Sequence, residues 1–258
     1  MTTHRQMIAL MAALKARSRS RVLETAREII DLAWKWGYLG KRFTFDADAD
    51  LDAEVNRLLL ALSDLMIADT REKAIEDADS EEDKEQILLF IDRPVSGRSL
   101  TERVDSHASH LKYLLEGYLA VCFASGFSKA GALGEVSRFL ADPNAYPPMQ
   151  EAYAQADDYA SRNIRQRGYH FGKGENIDPI KGIALVTATM LNAGRQYGML
   201  LGWGRDSQII GYRVRRGSDY DCPECDDLTI GIHPLDEIVL PAHPHCVCWM
   251  EPVRRGEE

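Results

Sequence analysis

Four of the five cysteines fall within one short stretch, as two close pairs, Cys222/Cys225 and Cys246/Cys248. From Asp221 to Trp249 the chain reads D-C-P-E-C-D-D-L-T-I-G-I-H-P-L-D-E-I-V-L-P-A-H-P-H-C-V-C-W, with His243 and His245 beside the second pair. Two thiols separated by two residues can turn both sulfurs toward one point. A second pair roughly twenty residues later can close a tetrahedron around zinc, which prefers thiolate and imidazole ligands. Two plainer readings compete with a metal knuckle: a disulfide pair, and thiols buried as small hydrophobes.

The spacing allows two ligand sets. On an extended segment Cys246 and Cys248 point to the same face, because strand periodicity is two; this gives a set of four cysteines, the first expectation. Alternatively, His243 and Cys246, spaced H-x-x-C, mimic the first turn and leave Cys248 in the core. Four protein ligands fill the tetrahedron and leave no position for water, so the expected zinc site is structural, not catalytic. In a module of about fifty residues, metal binding supplies much of the folding free energy.

The rest of the chain bounds the context. At 258 residues it holds one large domain or two small ones, and 45% hydrophobic with 28% charged residues is the composition of a soluble globular protein. The apolar run Met7–Leu14 spans eight residues and is followed by Lys15, Arg17, Arg19 and Arg21. It is too short for a signal sequence or a membrane span, so the expected compartment is a reducing cytosol, which favours thiolates on metal over disulfides. A net charge of −9 argues against nucleic-acid binding by the whole surface. The charge is uneven: Asp46–Asp92 carries sixteen Asp/Glu against four Lys/Arg, and Arg162–Arg216 carries ten Lys/Arg against three Asp/Glu. Either these are two solvated faces, or the basic segment meets an acidic partner such as DNA or a capsid surface.

Helical spacing dominates up to residue 202. Val22, Leu23, Ala26, Ile29, Ile30, Ala33 and Trp34 form one stripe, with Gly37 and Gly40 as a stop; Leu51 to Met66 form another, with Asp50 as N-cap. Glu72–Glu85 reads as a solvated helix or hinge, and 92–97 as a break. A long helix carries Leu111, Tyr113, Leu114, Leu115, Tyr118 and Leu119; loops are expected at 142–148 and 168–179. The helix from Ile180 to Gly202 places Gly194, Gly198 and Gly202 four apart, close to the line of Ala184 and Ala188. Interior glycines cost about 1 kcal/mol each against alanine, so the row predicts a backbone packed closely against it. Asn192, Arg195 and Gln196 in mid-segment exclude a membrane helix. Beyond it, Ile209–Val214, Ile238–Leu240 and Val247–Val253 are strand candidates. The expected fold is mainly α with a small C-terminal α+β zinc-knuckle module, divided into a helical domain (1–179) and the C-terminal module (180–258).

The C-terminal order of elements also carries a family resemblance. A strand-like run (Ile209–Arg216), an acidic residue, C-x-x-C, a short L-x-x-G stretch and then P-x-H-P-x-C-x-C resemble the C-terminal signature of phage minor head proteins, the head-morphogenesis family of the phage Mu F protein. The preceding T-A-T-M-L-N-A-G-R-Q-Y-G-M (Thr187–Met199) is similar to that family's helix before the cysteine block. The likeness covers roughly 181–253, under a third of the chain, and departs from the family at Val247, where arginine is usual. It implies a capsid-assembly protein incorporated in low copy near the portal vertex. The implied partners are the portal protein, the major capsid protein and, as a further candidate, packaged DNA. The implied location is the host cytoplasm during assembly and then the virion head.

Other chemistry is sparse. Asp46, Asp48, Asp50 and Asp52 resemble a calcium loop but have Leu51 where glycine is required and Arg57 where glutamate is required. Asp105, His107 and His110 could line a helix face as metal ligands, without an identifiable partner pair. Gly172-Lys173-Gly174 lacks the phosphate-loop frame, and Cys122 reads as a buried small hydrophobe. No nucleophile–base motif appears, so the expectation is a non-enzyme. The rival classes are a zinc-dependent nuclease or toxin module, with His233, His243 and His245 as its local candidate bases, and a DNA-binding zinc module.

Overall fold

The computed structural model describes residues 4–36, 43–143, 145–155, 179–244 and 246–256. In order, the elements are α1 (His4–Trp36), a 3-10 turn (Phe45–Ala47), α2 (Ala49–Ile75), α3 (Glu81–Asp92), α4 (Leu100–Ala124), α5 (Lys129–Ala141), α6 (Pro147–Gln155), α7 (Pro179–Gly204), β1 (Ile209–Arg215), α8 (Pro223–Leu228) and β2 (Trp249–Arg254). The fold is mainly helical with a small two-stranded sheet near the C-terminus, as the patterning predicts. Two compact units result, Arg17–Leu65 with Val104–Ala184, and Met1–Ala16 with Met66–Arg103 and Leu185–Glu258. Each draws on separate stretches of chain; the division expected at 179/180 adjoins residues 156–178, which lie outside the described residues.

In the first of these units, Val22, Ala26, Ile29, Ile30 and Ala33 of α1 are completely buried, as their spacing predicts. Trp34 and Phe43 both pack on Phe123 of α4, with ring centroids 4.4 and 5.1 Å apart. The α2 start is capped two residues earlier than expected. The Asp48 carboxylate, not that of Asp50, accepts the Asp50 and Leu51 N–H groups at 3.0 Å each. On α4 the stripe Leu111, Leu114, Leu115, Tyr118 and Leu119 is buried, while Tyr113 is half exposed. The Tyr118 hydroxyl donates to the Ala132 carbonyl at 2.6 Å. Cys122 is buried beside it, and burial pushes its thiol up to about 11, which suits an inert hydrophobe. Pro147 and Pro148, expected in a loop, open α6, where fixed φ and a missing N–H are harmless.

The other unit contains the cysteine block. The acidic stretch 72–85 neither continues as one helix nor stays open. α2 ends at Ile75, and α3 restarts at Glu81 behind Ser80, whose hydroxyl accepts the Asp83 N–H at 3.1 Å. α7 receives this hairpin. A Cβ on Gly194 would meet Ile91 Cγ2 at 2.8 Å and Ala74 Cβ at 3.0 Å, and one on Gly198 would meet Ile87 Cδ1 at 2.9 Å; on Gly202 the nearest atom is Asp79 Oδ2 at 3.6 Å. The close approach expected of the glycine row therefore holds at two of three positions, and side chains rather than a backbone make it. Phe90 stacks on Tyr197 at 4.3 Å. Arg195, 5% exposed, donates to Glu76, Asp77 and the Lys73 carbonyl at 2.6–2.8 Å. Arg205 reaches Asp79 and Asp83 at 2.7–2.8 Å and holds the Asp83 carboxyl below its usual range. The acidic partner of these two basic residues is thus the chain's own segment.

β1 and β2 pair antiparallel, with Tyr212 opposite Pro252 and Val214 opposite Met250. Tyr212 exchanges both backbone bonds with His233 on its other edge, at 2.9 and 2.8 Å. It therefore needs none from Pro252, which explains how proline is tolerated there. Ile238–Leu240 is not a strand: the Val239 N–H goes to the Tyr212 hydroxyl at 3.3 Å, and Pro241 follows. Among the described residues no helix is long and apolar enough to cross a membrane.

Replacing Gly198 by leucine should lower unfolding free energy by about 1–3 kcal/mol, the usual range for overpacking. Gly202→Ala should be neutral or stabilising by up to about 1 kcal/mol. Denaturant titration of both variants checks the difference.

Candidate metal centre

The centre is built from a turn, a loop and a supporting helix. After β1 the chain passes so close to the second cysteine pair that a Cβ on Gly217 would overlap the Val247 carbonyl, at 1.8 Å. Arg216 then organises the approach to the first pair. Its guanidinium donates to the carbonyls of Ser218, Tyr220 and Cys222 and to the Asp226 carboxylate. Cys222 is the N-cap of α8, Pro223 occupies its first turn, and Cys225 lies one turn along, so both sulfurs face the same side.

Five donors meet there. His243 Nε2 lies 3.2 Å from Cys222 Sγ and 3.1 Å from Cys225 Sγ, and Cys225 Sγ lies 3.8 Å from Cys246 Sγ. They fall into two triads whose ligand atoms are within 4.8 Å of one another: Cys222/Cys225/His243 and Cys225/Cys246/Cys248. Cys225 belongs to both. Its sulfur, with those of Cys246 and Cys248, is buried, whereas Cys222 and His243 are partly open beside a cavity of about 410 Å³. All four cysteines are free thiols, which removes the disulfide reading for this structure.

His243 is set up as a ligand. Its Nδ1 lies 2.7 Å from the Pro244 carbonyl oxygen and must be the donor, which leaves the Nε2 lone pair facing the sulfurs. Burial, and then the adjoining Cys222 and Cys248 thiols, push the Cys225 thiol well above its usual range; burial likewise raises Cys246. Thiolates crowded in so dry a place require a cation, and a bound divalent metal reverses the preference for protonation. The donor set, soft sulfur with one oriented imidazole, fits a thiophilic metal.

The loop around Cys246 and Cys248 has no ladder to satisfy its carbonyls, so side chains do it. Asn192 Nδ2 donates to the Cys246 carbonyl at 3.2 Å, and Gln196 Nε2 donates to Asn192 Oδ1 at 2.8 Å and reaches the Cys248 carbonyl at 3.5 Å. His4 Nε2 lies 2.9 Å from the Val247 carbonyl, and its ring stacks on Trp249 at 5.4 Å. An apolar shell that includes Trp203, Tyr212, Val214, Leu240 and Met250 encloses the sulfurs.

All five residues expected from spacing (Cys222, Cys225, His243, Cys246 and Cys248) come together. His245 lies outside the described residues. His233 joins neither triad: its Nε2 bonds the Leu228 carbonyl at 2.8 Å and its ring stacks on Tyr212 at 5.3 Å. Among the described residues Asp105, His107 and His110 form no donor cluster, nor do Asp46, Asp48, Asp50 and Asp52. Sequence reading missed Gly217, Arg216 and His4 as parts of the centre. Asn192 and Gln196 entered it as marks against a membrane helix and as part of the family-like helix, not as supports of the cysteine loop, although two amides one turn apart in an apolar helix signal buried backbone to be satisfied. Compared with models of known families, with curated proteins and with solved structures, the chain has no significant match.

Cys225→Ser removes the donor common to both triads and should release bound metal while melting the β1–β2 region, read as loss of near-ultraviolet tryptophan signal. Gly217→Ala should destabilise by more than about 3 kcal/mol, above the range of ordinary overpacking, because the obstacle is backbone; chemical denaturation measures it.

Proposed function

We propose that the chain is a phage or prophage minor head protein, acting structurally in capsid morphogenesis near the portal, with a structural zinc in its C-terminal module. The observation that carries the reading is the closure of one ordered signature on one site. The strand, C-x-x-C and H-P-x-C-x-C elements that resemble the head-morphogenesis family converge on the five-donor cluster, and the N-A-G-R-Q stretch of the preceding helix supports them. Zinc held by four of Cys222, Cys225, His243, Cys246 and Cys248 would cross-link α8 to the loop before β2 and contribute folding free energy. Five protein donors for four positions give no reason for an exchangeable water, which supports a structural rather than catalytic role.

The chain's own residues fit that role. Arg216, Asn192 and Gln196 hold the ligand-bearing loops, and the helices present the protein-binding surface. The partners we propose are the portal and major capsid proteins, with packaged DNA third. Arg195, Arg205, Arg215 and Arg216 are paired with acidic side chains of the chain itself, which weakens a purely electrostatic nucleic-acid site. The nuclease alternative needs a histidine beside the metal with no other duty. Of its candidates, His233 bonds a carbonyl and His243 faces two thiols.

Elemental analysis of native protein should give about one zinc per chain, the content of a closed four-ligand site. Deleting the gene from its phage or prophage should abolish mature heads, and the purified protein should not cleave DNA. Normal head yield on deletion, or metal-dependent cleavage, would overturn the reading.

A further inference from the structure

The first part of α1, up to Ala16, belongs to the cysteine-bearing unit, and its tip rests on the cysteine loop. His4 Nε2 lies 2.9 Å from the Val247 carbonyl oxygen; a carbonyl only accepts, so this nitrogen carries the proton and donates. The same ring stacks on Trp249, with centroids 5.4 Å apart and planes 20° from parallel. Val247 stands between Cys246 and Cys248, and Trp249 follows, so one side chain holds the loop on both sides of Cys248. Asn192 and Gln196 of α7 hold the carbonyls of the two cysteines themselves. Two of the five donors therefore sit on a loop gripped by both helices.

Below its tip this end of α1 is loosely seated. Met7 and Met11 are buried with Ala188 of α7, but Ile8 is 38% exposed. Between them and Met199, Trp203 and Met250 lies a half-enclosed space of about 370 Å³. A helix end that borders a void makes fewer contacts than a close-packed one, and such segments open first. Its seating then leans on the His4 tie, and that tie needs the Val247 carbonyl in place. A metal on the sulfurs would fix the backbone on both sides of that carbonyl.

We propose that metal binding at the cysteine cluster and the seating of residues 4–16 of α1 are coupled through the Val247 carbonyl. His4 touches no donor atom; it is a positioning residue that holds the loop in its ligating conformation, and loss of the metal releases this end of the helix. The coupling rests on the metal site proposed above and not on the head-assembly role. Linkage makes it reciprocal: the factor by which metal favours seating is the factor by which seating favours metal.

The test uses the full chain with zinc as the probe, its affinity read by competition with a chromophoric chelator. His4→Ala should bind zinc about five- to tenfold more weakly, the worth of one hydrogen bond. His4→Gln, whose amide can donate to the same carbonyl, should bind more tightly than His4→Ala. In the parent chain, stripping zinc should speed hydrogen exchange of the amides of residues 5–16 by at least about fivefold, and more than it speeds those of residues 188–200 in α7. In His4→Ala the amides of 5–16 should exchange fast with or without zinc. Unchanged zinc affinity in His4→Ala, or equal exchange of 5–16 with and without zinc in the parent, overturns the coupling. Equal acceleration in α7 shows the unit opening as a whole and overturns release of this segment; His4→Gln no better than His4→Ala overturns the Val247 hydrogen bond as the route. A parent chain that takes up no zinc overturns the metal site itself, and the coupling with it.

Discussion

Cys225 belongs to both donor triads, and the chain beyond α7 is arranged around its sulfur. A two-stranded sheet is marginal by itself, and between Gly217 and Cys248 the only regular element among the described residues is the six-residue α8. Its backbone bridge is the one between His233 and Tyr212, and around the cysteine pairs the carbonyls of Cys222, Cys246, Cys248 and Val247 are taken by Arg216, Asn192, Gln196 and His4. The sulfurs of Cys225, Cys246 and Cys248 are buried in the core beside Tyr212 and Trp203, with Cys222 packed at its edge. With a cation bound, the same sulfurs become thiolates, and two loops that otherwise rely on side-chain hydrogen bonds gain a direct link. Burial raises the Cys225 thiol, so holding it as a thiolate would take a bound cation.

α7 holds this arrangement by having two working faces. Residues two apart on a helix are rotated by about 200°, so Asn192 and Gln196 lie nearly opposite Gly194 and Gly198. One face carries amides to the cysteine loop; the other is shaved to glycine to admit Ile87 and Ile91 of α3. Arg195, next to the glycine face, closes the junction by pairing with Glu76 and Asp77 where α2 ends. The excess of negative charge in 46–92 and of positive charge in 162–216 is therefore used partly within the protein. That pairing was hidden in composition alone, where each segment looked like a surface awaiting a partner.

Much of the helical body was legible, because α1, α2 and α4 keep their apolar residues at helical spacing and bury them. The errors fell where one side chain decides. Asp48 and Asp50 are equally good caps on paper, and only the geometry of the 3-10 turn selects Asp48. Pro147-Pro148 reads as a loop until its position at the start of α6 is seen, since proline breaks helices and also begins them. Ile238–Leu240 has strand composition, but the Tyr212 hydroxyl takes its amide. At the metal centre the donors were readable from spacing alone. The support was not: Gly217, Arg216 and His4 become informative only once Val247 is known to lie against two of them and the Cys222 turn against the third.

The form of the centre bears on the kind of work proposed for it. Catalysis at a metal needs an open coordination position and a base free to move a proton. Here five protein donors are at hand for the four positions a tetrahedral metal would offer, and His233 and His243 are engaged with carbonyls or sulfurs. What such a site supplies is a fixed shape. A surface that is rigid before it docks loses less conformational entropy on binding, and a module with so little regular structure would otherwise lose a great deal. A thiolate-bound metal would provide that rigidity in about fifty residues, with less chain than a larger sheet needs. In the proposed head-assembly role, the centre would act by holding a contact surface in its docking conformation.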